Sequence, residues 1–545
     1  MTIRNYFIEK IPTIAKSFYD YFIDIIEQFG NSIALNDPET MKFVTYSELI
    51  NRSQQMLSAL VRLGIHHGDR IGTYVGNSSD YITFMLAAIG LGAILVPLNP
   101  AYKTYEIEKY FEKASVKWIL IEEKLFEKIR HLKMKNKQAK IIMLDSINET
   151  SLCYTLQSYL SDNSLWDNEI TYQFQNKFNC EYNTAIIFFS SGTTGLPKGI
   201  LLSHETLIAN VELIRKTQGI KCGKYEMISL SGMDVVYGVL PYFHAGGLLT
   251  VFGLLGLGAQ IIINRKFDGE QFLGTLSNYQ VTTALLVPPV LKFLAVTPNL
   301  NPEAFHSLKQ IFVGAAHVNE SLIEMVKHRL PRTNIIQLYG TTEAGAFVFM
   351  QPLYPTGKNG SCGILLPSVE CKIMKLSSNE ECEEMETGEV WLKTATMMQG
   401  YLEKTTDIDD AFVDGWFRTG DLGYYDFDQF IYITGRIKEM IKVRGWQVSP
   451  YEIEETIQEL NDVELCVVIG IPDEYSGELP KAYIKLRDGC QMDENTIHQL
   501  VNAKFASYKQ LKGGIQFVSN MPINSAGKIS RRELLKINET EDKTV

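Results

Sequence analysis

The chain has 545 residues, of which 45% are hydrophobic and 21% charged, and carries a net charge of -11. That balance belongs to an ordinary globular protein, long enough for several domains of roughly 100 to 200 residues each. The acidic excess leaves no basic surplus to replace phosphate counterions, which excludes a general nucleic-acid binder and leaves local basic sites open.

The N-terminal stretch "MTIRNYFIEKIPTIAKSFYD" lacks a continuous apolar core followed by a small-residue cleavage site, so no secretory signal is expected. "YSELINRSQQMLSALVRLGI" has a helical period, and "RIGTYVG" reads as a strand. The apolar runs from Ile82 to Pro100 and from Val239 to Asn264 approach the length of a membrane span. Each is broken by glycines and ends in a short aliphatic run, which reads as buried helix, glycine turn and buried strand. The strand-like runs "WILIEE", "AKIIMLD", "AIIFFSS", "QIFVGAA" and "NIIQLYG" continue the rhythm, which predicts an α/β fold with parallel sheets and helices on their faces. From about Gly388 the texture turns to closely spaced strands and turns. Past Arg436 a compact α+β pattern takes over, from "SPYEIEETIQEL" to a last strand "IQFVSNMP". Two domains are expected, 1–436 and 437–545. The eight scattered cysteines form no CxxC pair, and the terminal "EDKTV" is neither a peroxisomal nor an ER-retention address. A reduced, cytoplasmic setting is the expectation.

One segment concentrates chemistry. After the apolar "TAIIFF" comes "SSGTTGLPKG", with Ser190, Ser191, Gly192, Thr193, Thr194, Gly195 and Lys198. A glycine-rich turn leaving a buried strand presents backbone N–H groups with little steric cover, and the hydroxyls and the lysine add donors and charge, together a cradle for phosphates. It is not a Walker A loop, because Pro197-Lys198-Gly199 breaks the GxxxxGK[ST] pattern. On composition alone a flexible surface loop fits equally well.

The full pattern resembles the phosphate loop of the adenylate-forming superfamily: acyl-CoA synthetases, 4-coumarate:CoA ligases, firefly luciferases and the adenylation domains of peptide synthetases. Further matches follow in the family's order: "PYFHAGG" at Pro241, "VGAAHV" at Val313, "QLYGTTEAG" at Gln337, "GWFRTGDLGYYD" at Gly415, "ITGRIKEMIKVRGWQVSP" at Ile433 and "PINSAGKISRREL" at Pro522. The resemblance covers almost the whole chain past the first forty or so residues. It implies a large N-terminal domain of parallel-sheet αβ layers with a small β-barrel-like subdomain, and a small mobile α+β C-terminal domain.

It also implies a reaction. A carboxylate attacks the α-phosphate of ATP, pyrophosphate leaves, and a thiol, that of coenzyme A, captures the acyl-adenylate. Bringing an anion against a polyanion demands positioned cations and donors. By resemblance Thr193, Thr194 and Lys198 hold pyrophosphate, Thr342 contacts the α-phosphate, and Glu343 holds Mg2+. Tyr339, beside the Gly340 turn and Thr341, packs on adenine, and the backbone at Gly314 and Ala315 lines the ring's edge. Asp421 and Arg436 bond the ribose, with Ile433 in the same nucleotide-binding segment. His317 stands where the family often has proline, a departure in the loop beside Ala315.

In the small domain Lys528 matches the catalytic lysine that bridges the attacking carboxylate and the α-phosphate. Lys438 matches the hinge about which the domain rotates for thioester formation. Rotation would bring Lys442 and Gln447 to the adenylate and Gly445 and Trp446 to the pantetheine channel, although Trp446 also reads as a core residue.

For the acid, His244 stands where amino-acid-activating relatives place an aspartate, which argues against an amino acid substrate. A lone histidine reads equally well as a satisfied core residue. Gly246 replaces an aromatic that relatives often have, which enlarges the pocket for a bulky aryl acid or a fatty chain, with Thr250, Gly340, Ala344 and Gly345 as wall residues. The leading reading is an acid:CoA ligase. A luciferase-like oxygenase and a noncatalytic protein of the same fold are the alternatives. No nucleic-acid partner or transmembrane segment is expected.

Overall fold

The computed structural model describes residues 3, 5–7, 9–135, 139–145, 153–156, 183–189, 198–316, 318, 320–355, 357–403, 411–444, 446–473, 475–523 and 529–541. Two large sheets carry most of the chain. The first has nine strands in the order Ile364–Leu365, Phe349–Met350, Asn334–Tyr339, Gln310–Val313, Thr283–Leu286, Val235–Gly238, Gln260–Ile263, Ile33–Asp37 and Lys42–Thr45. The second has eight, in the order Gly400–Tyr401, Gly199–Ser203, Thr184–Phe189, Ile94–Pro97, Arg70–Tyr74, Trp118–Ile121, Lys140–Met143 and Cys153–Thr155. Their inner strands run parallel, as the helix–strand rhythm predicts. Antiparallel strands are added at the edges. The stretch between Phe189 and Gly199 shows why: a parallel crossover takes about a dozen residues or more, and this connection is too short for one.

The two membrane-length apolar runs become the helix layer between these sheets. Ser79–Gly90 is buried at every residue but Asp80, and Ala245–Leu255 at every residue but Gly246. Each then turns through a glycine with positive φ, Gly92 at 77° and Gly258 at 86°, into a strand of one of the sheets. The first touches strands of both sheets, and the second packs on Gln260–Ile263 and on the helix His204–Thr217. A helix apolar all round needs such cover on every side. No helix among the described residues is long and apolar enough to cross a membrane.

Past Ser368 a curled five-stranded antiparallel sheet is built from Val369–Met374, Gly388–Thr394, Phe412–Val413, Trp416–Tyr425 and Ile431–Arg436. The C-terminal α+β unit has its own five-stranded sheet, from Ile441–Val443, Trp446–Val448, Val463–Asp473, Gly477–Leu486 and Ile515–Phe517. Its core, with Ile441, Val448, Ile453, Val468, Ile484 and Val501 buried, is separate from that of the larger body. A short 3-10 turn, Ile437–Glu439, joins the two. Lys292 of the large body reaches the C-terminal unit, donating to the Glu464 carbonyl at 3.0 Å.

Candidate active site

The site is assembled where strands of both large sheets end. Strand Asn334–Tyr339 leaves its sheet at Gly340, whose Cβ, if present, would stand 2.3 Å from the Ala346 carbonyl oxygen and 2.4 Å from Phe347 Cα. Only glycine permits that fold-back. Thr341 then caps the 3-10 turn Thr342–Ala344, accepting from the Ala344 N–H at 3.2 Å. Gly345 closes the turn at φ 96°, with Thr396 and Asn210 too close for a side chain. The Asn210 carboxamide oxygen accepts from the Ala346 N–H at 3.1 Å. The glycines of "QLYGTTEAG" thus present Tyr339, Thr342 and Glu343 at the strand's end, and the two threonines and Glu343 stay half-buried.

Tyr339 stacks on Phe349, with centroids 5.2 Å apart and planes 15° from parallel. Its hydroxyl donates to Asp421 Oδ2 at 2.5 Å. Arg436 Nε lies 2.7 Å from the other oxygen, Oδ1. Strands Trp416–Tyr425 and Ile431–Arg436 set Asp421 directly opposite Arg436, and Ile433 opposite Gly423. Burial, and then the Asp421 carboxylate, push the Tyr339 phenol far up, so it remains a donor. Burial disfavours the Arg436 charge, but Asp421 overrides it and holds the guanidinium protonated. A carboxylate offers about four acceptor positions, so Asp421 can take several donors at once. Three residues predicted to hold adenine and ribose are therefore one hydrogen-bonded group. Gly314, next to Gln310–Val313, is buried, and Ala315 adopts φ 69°, an uncommon left-handed conformation for alanine.

Lys198 and Glu343, predicted to hold pyrophosphate and a metal, meet on a residue that sequence reasoning missed. Lys198 Nζ lies 4.9 Å from the centre of the Tyr401 ring, and the Tyr401 hydroxyl donates to Glu343 Oε1 at 3.2 Å. Burial raises the Glu343 carboxyl, against the hydrogen bonds from its own backbone and from Tyr401. Among the described residues no three of His, Cys, Asp and Glu gather as a metal cage. A single hard carboxylate fits a magnesium ion that takes its remaining ligands from nucleotide phosphates and water. Nothing in the local sequence "QGYLE" marks Tyr401; strand Gly400–Tyr401 reaches the site only by pairing with Gly199–Ser203.

On the predicted acid side, His244 precedes the helix Ala245–Leu255, and its ring lies 4.7 Å from that of Phe243. Gly246 is the exposed position of that helix, and a Cβ there would meet nothing within 4 Å. Thr250 is buried, with its hydroxyl donating to the Gly246 carbonyl at 2.6 Å. Ala344 and Gly345 are buried as well.

In the C-terminal unit, Lys442 stands directly opposite Gln447 across a hairpin. The Lys442 N–H donates to Glu478 Oε2 at 2.7 Å while its side chain is exposed. Lys438 lies in the joining turn Ile437–Glu439. Behind it Arg531, also unforeseen, pairs with Glu454 through both terminal nitrogens, at 2.6 and 2.9 Å, and approaches Glu439 at 3.4 Å. Ser190, Ser191, Gly192, Thr193, Thr194, Gly195, His317, Gly445, Lys528 and the side chains of Trp446 and Gln447 lie outside the described residues.

Two α/β sheets enclosing a helix layer, a hydrogen-bonded cluster of aromatic, carboxylate and guanidinium groups, and a small α+β unit beyond a short turn make up the architecture of an adenylate-forming enzyme. The chain belongs to the AMP-binding enzyme family: residues 23–402 match the family model, and residues 452–528 match that of the AMP-binding enzyme C-terminal domain. It is 32% identical to a probable CoA ligase of Humulus lupulus over 93% of this chain and 90% of that one. It is 29% identical to the luciferin 4-monooxygenase of Photuris pensylvanica, over 95% of this chain and 94% of that one. Its fold superposes on ATP-bound MatB from Rhodopseudomonas palustris with a TM-score of 0.84 at 23% identity, covering 95% of this chain and 99% of that one.

Proposed function

We propose that this protein is an ATP-dependent carboxylic acid:CoA ligase acting on a fatty or aryl acid. The observation that carries the reading is the pair of clusters at the sheet ends: Tyr339, Asp421 and Arg436 for the nucleoside, and Lys198 and Glu343 for the phosphate chain. The CoA-ligase relative supports the choice of acceptor.

In the first half-reaction an acid carboxylate oxygen attacks the α-phosphorus, and the bond to the bridging oxygen breaks, releasing pyrophosphate. Asp421 accepts the ribose hydroxyls, and Arg436 pairs with that carboxylate and holds it in place. Tyr339 flanks adenine on the face away from Phe349. Lys198, with the hydroxyls of Thr193 and Thr194, balances charge on the departing pyrophosphate, Thr342 bonds the α-phosphate, and Lys528 bridges the two reacting anions. Glu343 would hold magnesium, which supplies neutralisation of phosphate charge when bound. In the second half-reaction the thiol sulfur attacks the acyl carbon, the bond to the AMP oxygen breaks, and AMP leaves. The division into 1–436 and 437–545 makes this a change of face: rotation at Lys438 brings Lys442 and Gln447 in place of Lys528, with Gly445 and Trp446 along the pantetheine path. His244 and the open position at Gly246 border the acid.

The test is acid-dependent pyrophosphate release from MgATP across medium-chain, long-chain, aryl and hydroxylated acids, with and without CoA. Release that accelerates with CoA for one class supports the ligase and names its substrate. Light emission with ATP, a luciferin and oxygen would favour the oxygenase instead, and ATP binding without release across the panel would overturn the ligase reading. Lys528→Ala is expected to slow adenylation far more than thioester formation from supplied acyl-adenylate.

A further inference from the structure

Lys198 and Glu343 carry opposite charges in one site, yet among the described residues no ion pair joins them. Tyr401 stands between. Its ring face receives Lys198 Nζ at 4.9 Å, and its hydroxyl donates to Glu343 Oε1 at 3.2 Å. The geometry points to Tyr401 as a positioning residue that holds the cation and the carboxylate apart and aims both at the same phosphate chain. This inference rests on the phosphate-binding role given above to Lys198 and Glu343.

The backbone around Tyr401 is built for that task. On the Glu343 side, the Thr396 hydroxyl donates to the Ala344 carbonyl at 2.6 Å, and the Met398 N–H donates to the Glu343 carbonyl at 2.7 Å. On the Lys198 side, the Gln399 N–H donates to the Leu201 carbonyl at 2.9 Å, and the Leu402 N–H donates to the Gly199 carbonyl at 2.7 Å. Residues 396–402 therefore bolt the Glu343 turn to the strand that begins just after Lys198. The side chain completes what the backbone begins. A phenol whose proton is drawn toward a carboxylate has a more electron-rich ring, which strengthens the attraction of its face for an ammonium. A direct Lys198–Glu343 pair would have to be broken before phosphates could enter. With Tyr401 interposed, the lysine rests on a soft partner that a phosphate oxygen displaces readily, and the carboxylate is held by a neutral donor instead of a competing cation.

The two halves of the side chain are separable by substitution. Tyr401→Phe keeps the ring and removes the hydroxyl, whereas Tyr401→Leu removes both. The experiment is calorimetric titration of the full-length protein with ATP and with pyrophosphate, in EDTA and then at rising Mg2+, without acid or CoA. In EDTA, Tyr401→Phe should bind ATP within about twofold of wild type, and Tyr401→Leu should bind roughly fivefold to thirtyfold more weakly. The Mg2+ concentration that half-saturates the gain in affinity should rise about tenfold in both variants. Lys198→Met combined with Tyr401→Leu should weaken metal-free binding no further than the worse single change.

Equal behaviour of the phenylalanine and leucine variants in EDTA, wild-type Mg2+ dependence in both, or additive losses in the double variant would each overturn the inference. Because no acid or thiol is present, a wild type that releases no pyrophosphate with any acid defeats the ligase reading alone. A wild type that binds neither ATP nor pyrophosphate defeats both.

Discussion

Arg436 Nε lies 2.7 Å from Asp421 Oδ1, across a strand pair that sets the two residues face to face. The second carboxylate oxygen takes the Tyr339 hydroxyl at 2.5 Å, so one buried aspartate orients both the guanidinium and the aromatic ring. Asp421→Asn should weaken ATP binding at least about tenfold, through lost charge-assisted bonds. It should also cost about 1–3 kcal/mol of stability, toward the low end because the Arg436 side chain is 40% exposed and stays partly solvated. Nucleotide titration and urea unfolding measure the two effects, and unchanged ATP affinity would remove Asp421 from the nucleotide site.

Gly246 makes the acid side testable. It is exposed in the first turn of an otherwise buried helix, with open space where a side chain would project. Gly246→Leu should leave the fold intact or gain roughly 0.5–1 kcal/mol from helix propensity. The KM for the bulkiest accepted acid should rise about tenfold or more while the KM for ATP holds, because only the acid's space is filled. If small and bulky acids suffer alike, Gly246 does not border the acid.

Lys438 sits in the turn between Arg436, tied to Asp421, and Glu439, which accepts from the Tyr451 hydroxyl at 2.6 Å. With Arg436 and Glu439 anchored to opposite units, the proposed rotation would have Ile437 and Lys438 to pivot on, and it would break the Lys292–Glu464 contact. Lys438→Pro, which fixes φ, should spare acid-dependent pyrophosphate exchange and suppress CoA ester formation about a hundredfold. Lys438→Ala should do neither. Survival of both half-reactions in the proline variant places the pivot elsewhere.

Stability should fall with acid through His204. This histidine is fully buried, its Nδ1 accepts the Phe18 N–H at 3.2 Å, and burial, with a smaller contribution from His67, lowers its pKa from 6.5 to about 4. Between those values the unfolded chain binds a proton that the folded chain refuses, so stability is present in full above pH 6.5 and is lost as pH falls toward 4. The loss from this group is on the order of 3 kcal/mol. His204→Asn keeps an acceptor for Phe18 and cannot titrate, so its unfolding free energy should be lower at pH 7 but flatter between pH 7 and 4.5. Parallel pH dependence in both proteins would assign the acid loss to other groups.

Local chemistry made much of this protein legible. The apolar period placed the helices and strands, and glycines marked where each buried helix turns into its strand, because a positive φ at Gly92 or Gly258 is a property of that residue itself. The motif order predicts that Tyr339, Asp421 and Arg436 act together, and the structure brings Tyr339 to Asp421 over 82 residues of separation, whatever they bind. The antiparallel edges of the sheets, Phe349 behind Tyr339, Asn210 beneath Ala346 and the Arg531–Glu454 pair were decided by tertiary packing. So was Tyr401, which reaches Glu343 across 58 residues and Lys198 across far more. Its two contacts depend on the edge strand Gly400–Tyr401 pairing with Gly199–Ser203, and no period or composition in "QGYLE" encodes which strand that will be. Sequence determines what each segment can become; which segments meet, and hence which side chain stands between a lysine and a glutamate, depends on burying the surfaces of both sheets at once.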